Sequence, residues 1–188
     1  MANVNHSTLT DPYLHEPKGV SSAGAGTVYV ANGSGSGAWV EKTRFIGAYV
    51  DFDATTPAYQ HSITTSDTIL NPTFTIASNN GFTGEVSPNA RLKYTGSETI
   101  DAQIVFTISS KNGGSVTHNA EFALFKNGTE LGGSRSIRTI SAGSWGSISV
   151  FGSTSFSTND YIEVKVKGDA AFTLDVASAF MSITGSAQ

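Results

Sequence analysis

From Ile100 to Ser109 the chain alternates strictly. Ile100, Ala102, Ile104, Phe106 and Ile108 fall on one parity, and Asp101, Gln103, Thr107 and Ser109 on the other, with Val105 alone interrupting the polar set. A side-chain period of two belongs to a strand with one face buried, and a helix cannot satisfy it. Residues 161–167 repeat the pattern, with Ile162, Val164 and Val166 inward and Tyr161, Glu163, Lys165 and Lys167 outward. RFIGAYVDF, SDTILNPTFTIAS, NARLKYTG, EFALFK, RSIRTIS and SWGSISVFGSTSF are further runs rich in aromatic and β-branched residues, punctuated by Pro, Gly and Asn. Asn127-Gly128 between EFALFK and TEL is a strong hairpin signal, because both residues tolerate positive φ. Another turn is expected at Ala142-Gly143. The last run places Phe172, Leu174 and Val176 on one parity and Ala179, Met181 and Ile183 on the other, while Phe180 keeps the first. Either a bulge near Ala177 shifts the register or both faces of this strand are buried, which implies a neighbouring chain. Seven to ten short strands at spacings of about 8–12 residues, with no amphipathic helix and no repeat, predict an all-β sandwich or jelly roll over residues 43–188.

Composition agrees. Charged residues make up 14% of the chain, against roughly 25% in soluble proteins generally. Ser, Thr, Gly and Asn replace them, which suits short strands and tight turns. A net charge of −4 leaves no basic face for nucleic acid. The absence of cysteine excludes disulfides, Cys-ligated zinc and a Cys nucleophile. The first residues lack the basic and apolar regions of a signal peptide, and no run reaches the roughly 20 apolar residues of a membrane helix. The expectation is synthesis in a cytoplasm without membrane insertion, the protein remaining there or leaving inside something larger.

Residues 1–42 read as an extended arm. Pro12 and Pro17 sit in a polar segment without apolar period. Residues 19–40, GVSSAGAGTVYVANGSGSGAWV, contain no charged side chain. Glycine-rich pieces flank the β-prone TVYVA, which reads as hinge, strand, hinge. Tyr13, Leu14, Val28, Tyr29 and Val30 are apolar groups in a segment too glycine-rich to build its own core, so they are candidates for anchoring on another surface. The competing reading folds them back on the knob or its neighbour. Trp39 marks the junction with the domain.

Catalytic constellations are hard to assemble. His6, His15, His61 and His118 show no i, i+4 zinc pair with a Glu base, and read as ordinary surface histidines. Asp51 and Asp53 share one strand face and could serve a glycan-active enzyme or lectin, but lack calcium-loop spacing. GSGSG at 33–37 has no helix to open and reads as linker. The expectation is no enzyme, no metal and no cofactor.

Two resemblances add to this. FALFKNGTEL, then a Ser/Gly-rich strand pair ending at Phe156, then STNDYIEVKVKG and a closing strand with Phe180 resemble the C1q/TNF-like jelly roll. Lys126, Asn127 and Gly128 match that family's Lys-Asn-Gly hairpin, and Asn159, Asp160 and Ile162 its Gly-Asp-x-Val turn, with Asn159 in place of Gly. The resemblance covers residues 90–184 and implies a homotrimer packed around a threefold axis. Leu14 to Gly19, Gly26 to Val30 and Gly37-Ala38-Trp39 are similar to the start of bacteriophage head decoration and head-fibre proteins. That implies a virion structural protein on the capsid exterior, bound through its arm to the major capsid protein, with adhesion to host-surface glycans as a second role. A tail-associated receptor-binding tip is the alternative.

Overall fold

The computed structural model describes residues 24, 27–31, 37–41, 45–53, 59–72, 75–85 and 91–187. Among them there is no helix. The chain divides into two compact units, Met1–Thr43 and Arg44–Gln188.

In the first unit, β1 (Thr27–Ala31) pairs antiparallel with β2 (Gly37–Glu41), setting Tyr29 opposite Trp39. TVYVA is therefore not an isolated strand between two hinges. The end of the glycine-rich stretch is its partner strand, and one edge of TVYVA is already occupied.

The second unit holds β3 (Phe45–Asp53), β4 (Tyr59–Ile63), β5 (Thr68–Ile69), β6 (Thr75–Asn80), β7 (Phe82–Glu85) and β8 (Arg91–Tyr94). They are followed by β9 (Ile100–Asn112), β10 (His118–Lys126), β11 (Thr129–Glu130), β12 (Ser136–Ile140), β13 (Gly146–Phe156), β14 (Tyr161–Gly168) and β15 (Phe172–Ala187). Eight of these strands pair by nesting: β3 with β15, β8 with β14, β9 with β13 and β10 with β12. Wrapping such a nested hairpin across two sheets is what defines a jelly roll. One sheet runs β13-β9-β15-β3-β6 with β4 added on β15, and the other β11-β10-β14-β8-β7 with β12 and β5 on its flanks.

The inward faces are the ones the alternation marks. Ile100, Ala102, Ile104, Phe106, Ile108, Phe122, Leu124, Ile162, Val164 and Val166 are almost fully buried. Phe82, Tyr94 and Phe156 meet at one end with centroids 5.1 to 6.3 Å apart; burying each such ring stabilises the fold by about 1.5–3 kcal/mol. In β15 the parity switch is a β-bulge, since the register against β9 shifts between Val176 and Ser178. Leu174 and Val176 before it, and Ala179, Met181 and Ile183 after it, all reach the core. Asn127 and Gly128 adopt φ of 50° and 80° in the tight turn from β10 to β11. The strands flanking Ala142-Gly143 lie in different sheets, so that turn carries the chain across the sandwich.

Candidate functional site

The two turns singled out in sequence come together. Asn127 donates its side-chain amide to Asp160 (2.6 Å) and accepts from the Tyr161 N–H (2.9 Å). Lys126 pairs with Asp160 at 2.8 Å and donates to the Ser155 carbonyl at 2.7 Å. Ser157 N–H donates to the same carboxylate (2.8 Å). Asn159, at φ 75°, donates its N–H to the Tyr94 carbonyl. Burial pushes the Asp160 carboxyl up, but Lys126, the Ser157 N–H and Asn127 outweigh it and hold the group below the usual range. Every polar group in this clasp is used by its neighbours, so its arrangement is that of a structural lock.

The outer faces of the two sheets differ. On the β10–β14 side, Arg135 binds Asp67 (3.1 Å), Glu121 (3.3 Å) and Glu130 (2.6 Å). Lys167 reaches Glu121 at 3.2 Å and Lys165 reaches Glu163 at 3.4 Å. The Lys165 ammonium also roofs the Phe125 ring at 4.4 Å, leaving Phe125 only 7% exposed. That face carries charge beside its apolar groups, Glu121 standing opposite the 65% exposed Ile137.

The β13–β9–β15 face does not. Cross-strand register sets Phe151, Val105 and Ser182 in one row and Ser149, Thr107 and Phe180 in the next. Phe151 is 62% exposed and Phe180 40%. On these three strands the outward positions between Gln103 and Ser109 carry no charge. Beside the patch lies an open cleft of about 540 Å³ lined by Asp101, Gln103, Ser153, Ser155, Thr184 and Ser186, among others. The sequence held a signal for it: Phe151 stands between Ser149 and Ser153 on a serine parity, where an aromatic group has no core to enter.

In the hairpin, the Tyr29 and Trp39 rings meet edge-on at 5.4 Å, while Val28 (39%) and Val30 (49%) are exposed. Trp39 thus has a ring partner inside the first unit. Tyr13 and Leu14 lie outside the described residues. Asp51 and Asp53 lie on β3 opposite Phe180 and Ser178 in register.

Two histidines are not ordinary surface groups. His118 stacks on Phe172 (4.9 Å between centroids) and bonds Asp169 at 3.0 Å. His61 bonds Tyr59 through Nδ1 (3.2 Å) and Thr68 through Nε2 (3.0 Å), and Thr68 Oγ1 donates to the Val166 carbonyl (3.0 Å). Since the Thr68 proton goes to Val166, Nε2–H must be the donor and bare Nδ1 accepts from the Tyr59 hydroxyl. Burial lowers the His61 pKa and raises that of Tyr59. Among the described residues, no three His, Cys, Asp or Glu side chains group as a metal site.

The arrangement defines a jelly roll with one outer face laced by ion pairs and, on the other, an uncharged patch around Phe151, Val105 and Phe180. No protein-family model matches the chain, and no curated protein matches it significantly. Solved structures do. It is similar to the structure of Eiger TNF from S. frugiperda (10% identity, 74% of this chain and 91% of that one, TM-score 0.42). It is also similar to murine APRIL at pH 5.0 (11%, 73% and 98%, TM-score 0.43) and to vertex protein P5 of PRD1 (16%, 75% and 95%, TM-score 0.41). The fold assignment rests on the nested pairing above.

Proposed function

We propose that this chain is a non-enzymatic virion structural protein whose jelly-roll knob forms a homotrimer on the exterior of a phage capsid. The observation that carries this reading is the β13–β9–β15 face, with Phe151, Val105 and Phe180 amid uncharged Ser and Thr. Protein interfaces have an apolar core depleted of charge, and exposed patches of this kind mark association sites. The opposite face, laced by its own ion pairs, is the one left to solvent. Neighbouring copies close around the open face, in the threefold arrangement that the jelly-roll resemblance implies.

Residues 1–42 supply the anchor on the major capsid protein. Val28 and Val30 are exposed on a two-stranded hairpin, an element only marginally stable alone in water. Among the described residues TVYVA pairs with β2 alone, and strand addition at its other edge is the mode of docking. Three arms per knob raise the effective concentration of each after the first docks, and a ligand specific for the assembled shell stabilises it by mass action.

The test combines light scattering of the full chain and of a chain beginning at Arg44 with co-sedimentation on undecorated capsids. Both chains are expected to have a trimer mass, with only the full chain sedimenting. A monomeric full chain refutes the trimer, and a full chain that stays in the supernatant refutes the capsid role.

A further inference from the structure

At the end of the sheet beyond Phe180, four side chains from four elements form a line. Register places Lys111 on β9 opposite Asp175 on β15, and Asp175 opposite Gln60 on β4, all pointing outward. Gln60 Nε2 donates to Asp175 Oδ1 at 2.9 Å, and Lys111 Nζ lies 3.9 Å from Oδ2. Lys111 also stands 4.9 Å from the ring centroid of Trp145, which precedes β13 and is 46% exposed.

This line is held from behind. The loop bearing Trp145 is fixed at one end by Asn112 N–H on the Ser141 carbonyl, and at the other by the Arg138 guanidinium on the Gly146 carbonyl. Asp175 is only 13% exposed, and Gly113 leaves its carboxylate room that a side chain would take, since a Cβ there would stand 2.9 Å from Oδ1. Trp145 keeps 46% of its surface exposed, with the Lys111 ammonium over its ring. Beside it stand a carboxylate (acceptor), an amide (donor and acceptor) and an ammonium (donor), all pre-oriented.

We propose that Trp145, Lys111, Asp175 and Gln60 form a binding site for a pyranose of a cell-surface polysaccharide. An amphipathic ring suits such a ligand: the apolar C–H face of the sugar stacks on the indole. Vicinal hydroxyls donate to Asp175 and accept from Lys111 and Gln60. Preorganisation by Arg138, Asn112 and Gly113 reduces the ordering cost of binding. Lys111 lies six residues along β9 from Val105, about 20 Å at strand rise, which sets the site apart from the centre of the proposed trimer face. Three copies would add avidity to weak single sites.

This goes beyond the proposed structural role to the adhesion that the sequence resemblance implies, and the two are separable. The experiment is saturation-transfer NMR of the full chain with methyl pyranosides of glucose, galactose and N-acetylglucosamine, alongside a polysaccharide array, with mass measured on the same samples. We expect transfer to at least one pyranoside. Trp145→Ala should abolish it, Asp175→Asn and the exposed Gln60→Ala should weaken it at least tenfold, and Ile137→Ala should leave it unchanged. No retained glycan, or binding unaltered by both Trp145→Ala and Gln60→Ala, overturns the site. A trimer that binds no sugar removes only the site; a monomer that binds one removes only the trimer.

Discussion

Asn127 and Asp160 stand 33 residues apart, yet the amide of one donates to the carboxylate of the other at 2.6 Å. The bond joins the β10–β11 turn to the β13–β14 turn, and Lys126 and the Ser157 N–H converge on the same carboxylate. Replacing Asp160 by Ala leaves three donors without their acceptor. Loss of charged hydrogen bonds at a largely covered site costs about 2–3 kcal/mol. Thermal unfolding of Asp160→Ala against the parent measures it; a melting temperature within a degree of the parent would show the clasp to be solvated.

The turn itself separates two terms. Gly128→Ala places a Cβ at φ 80° and should cost about 1–2 kcal/mol. Asn127→Gly relieves backbone strain but removes both side-chain bonds, whereas Asn127→Ala does the second without the first. Chemical denaturation should rank stability as parent, then Asn127→Gly, then Asn127→Ala. Reversal of the last two would place the cost in the unfolded chain.

His61 makes the knob sensitive to mild acid. Its folded pKa lies below the ordinary 6.5, so its neutral form is favoured in the folded state. The stability it contributes is present above pH 6.5 and declines as pH falls through the folded value. Protonation also puts a hydrogen on Nδ1, where Tyr59 donates. Melting temperature followed from pH 7.5 to 5 should fall more steeply in the parent than in His61→Gln. Parallel curves would mean that the Tyr59–His61–Thr68 chain yields to water.

Phe151 and Ile137 are matched in exposure, at 62% and 65%, but lie on opposite outer faces. Phe151→Asp should lower the mass to that of a monomer, since three carboxylates would meet at a desolvated interface. Ile137→Asp should leave it unchanged. If both variants, or neither, dissociate, the uncharged face is not the contact.

Much of this architecture was readable in the sequence, because period-two alternation specifies face as well as strand. The inward sets of β9 and β14 follow directly from it, and the parity switch in β15 resolves as a bulge. β4 and β7 escaped notice: YQHSI mixes Gln and His into its alternation, and FTGE is four residues long with a glycine inside. The pairing of TVYVA with GAWVE was hidden by glycine, whose flexibility reads as linker until a partner strand is seen. The line from Trp145 to Gln60 had no local signature at all. Its members come from four elements, and cross-strand register alone makes them neighbours.

The nesting of β3 with β15 also sets an order of events. β15 lies between β9 and β3, so the middle of that sheet is made from the last of its own strands in chain order. Until residues 172–187 emerge, β3 and β9 have no partner between them, and Met181 and Ile183 are missing from the core. Such non-local closure is slow and leaves strand edges open meanwhile. Closure of the knob therefore waits on β15, and a chain stopped before Phe172 has a gap in the centre of its sheet.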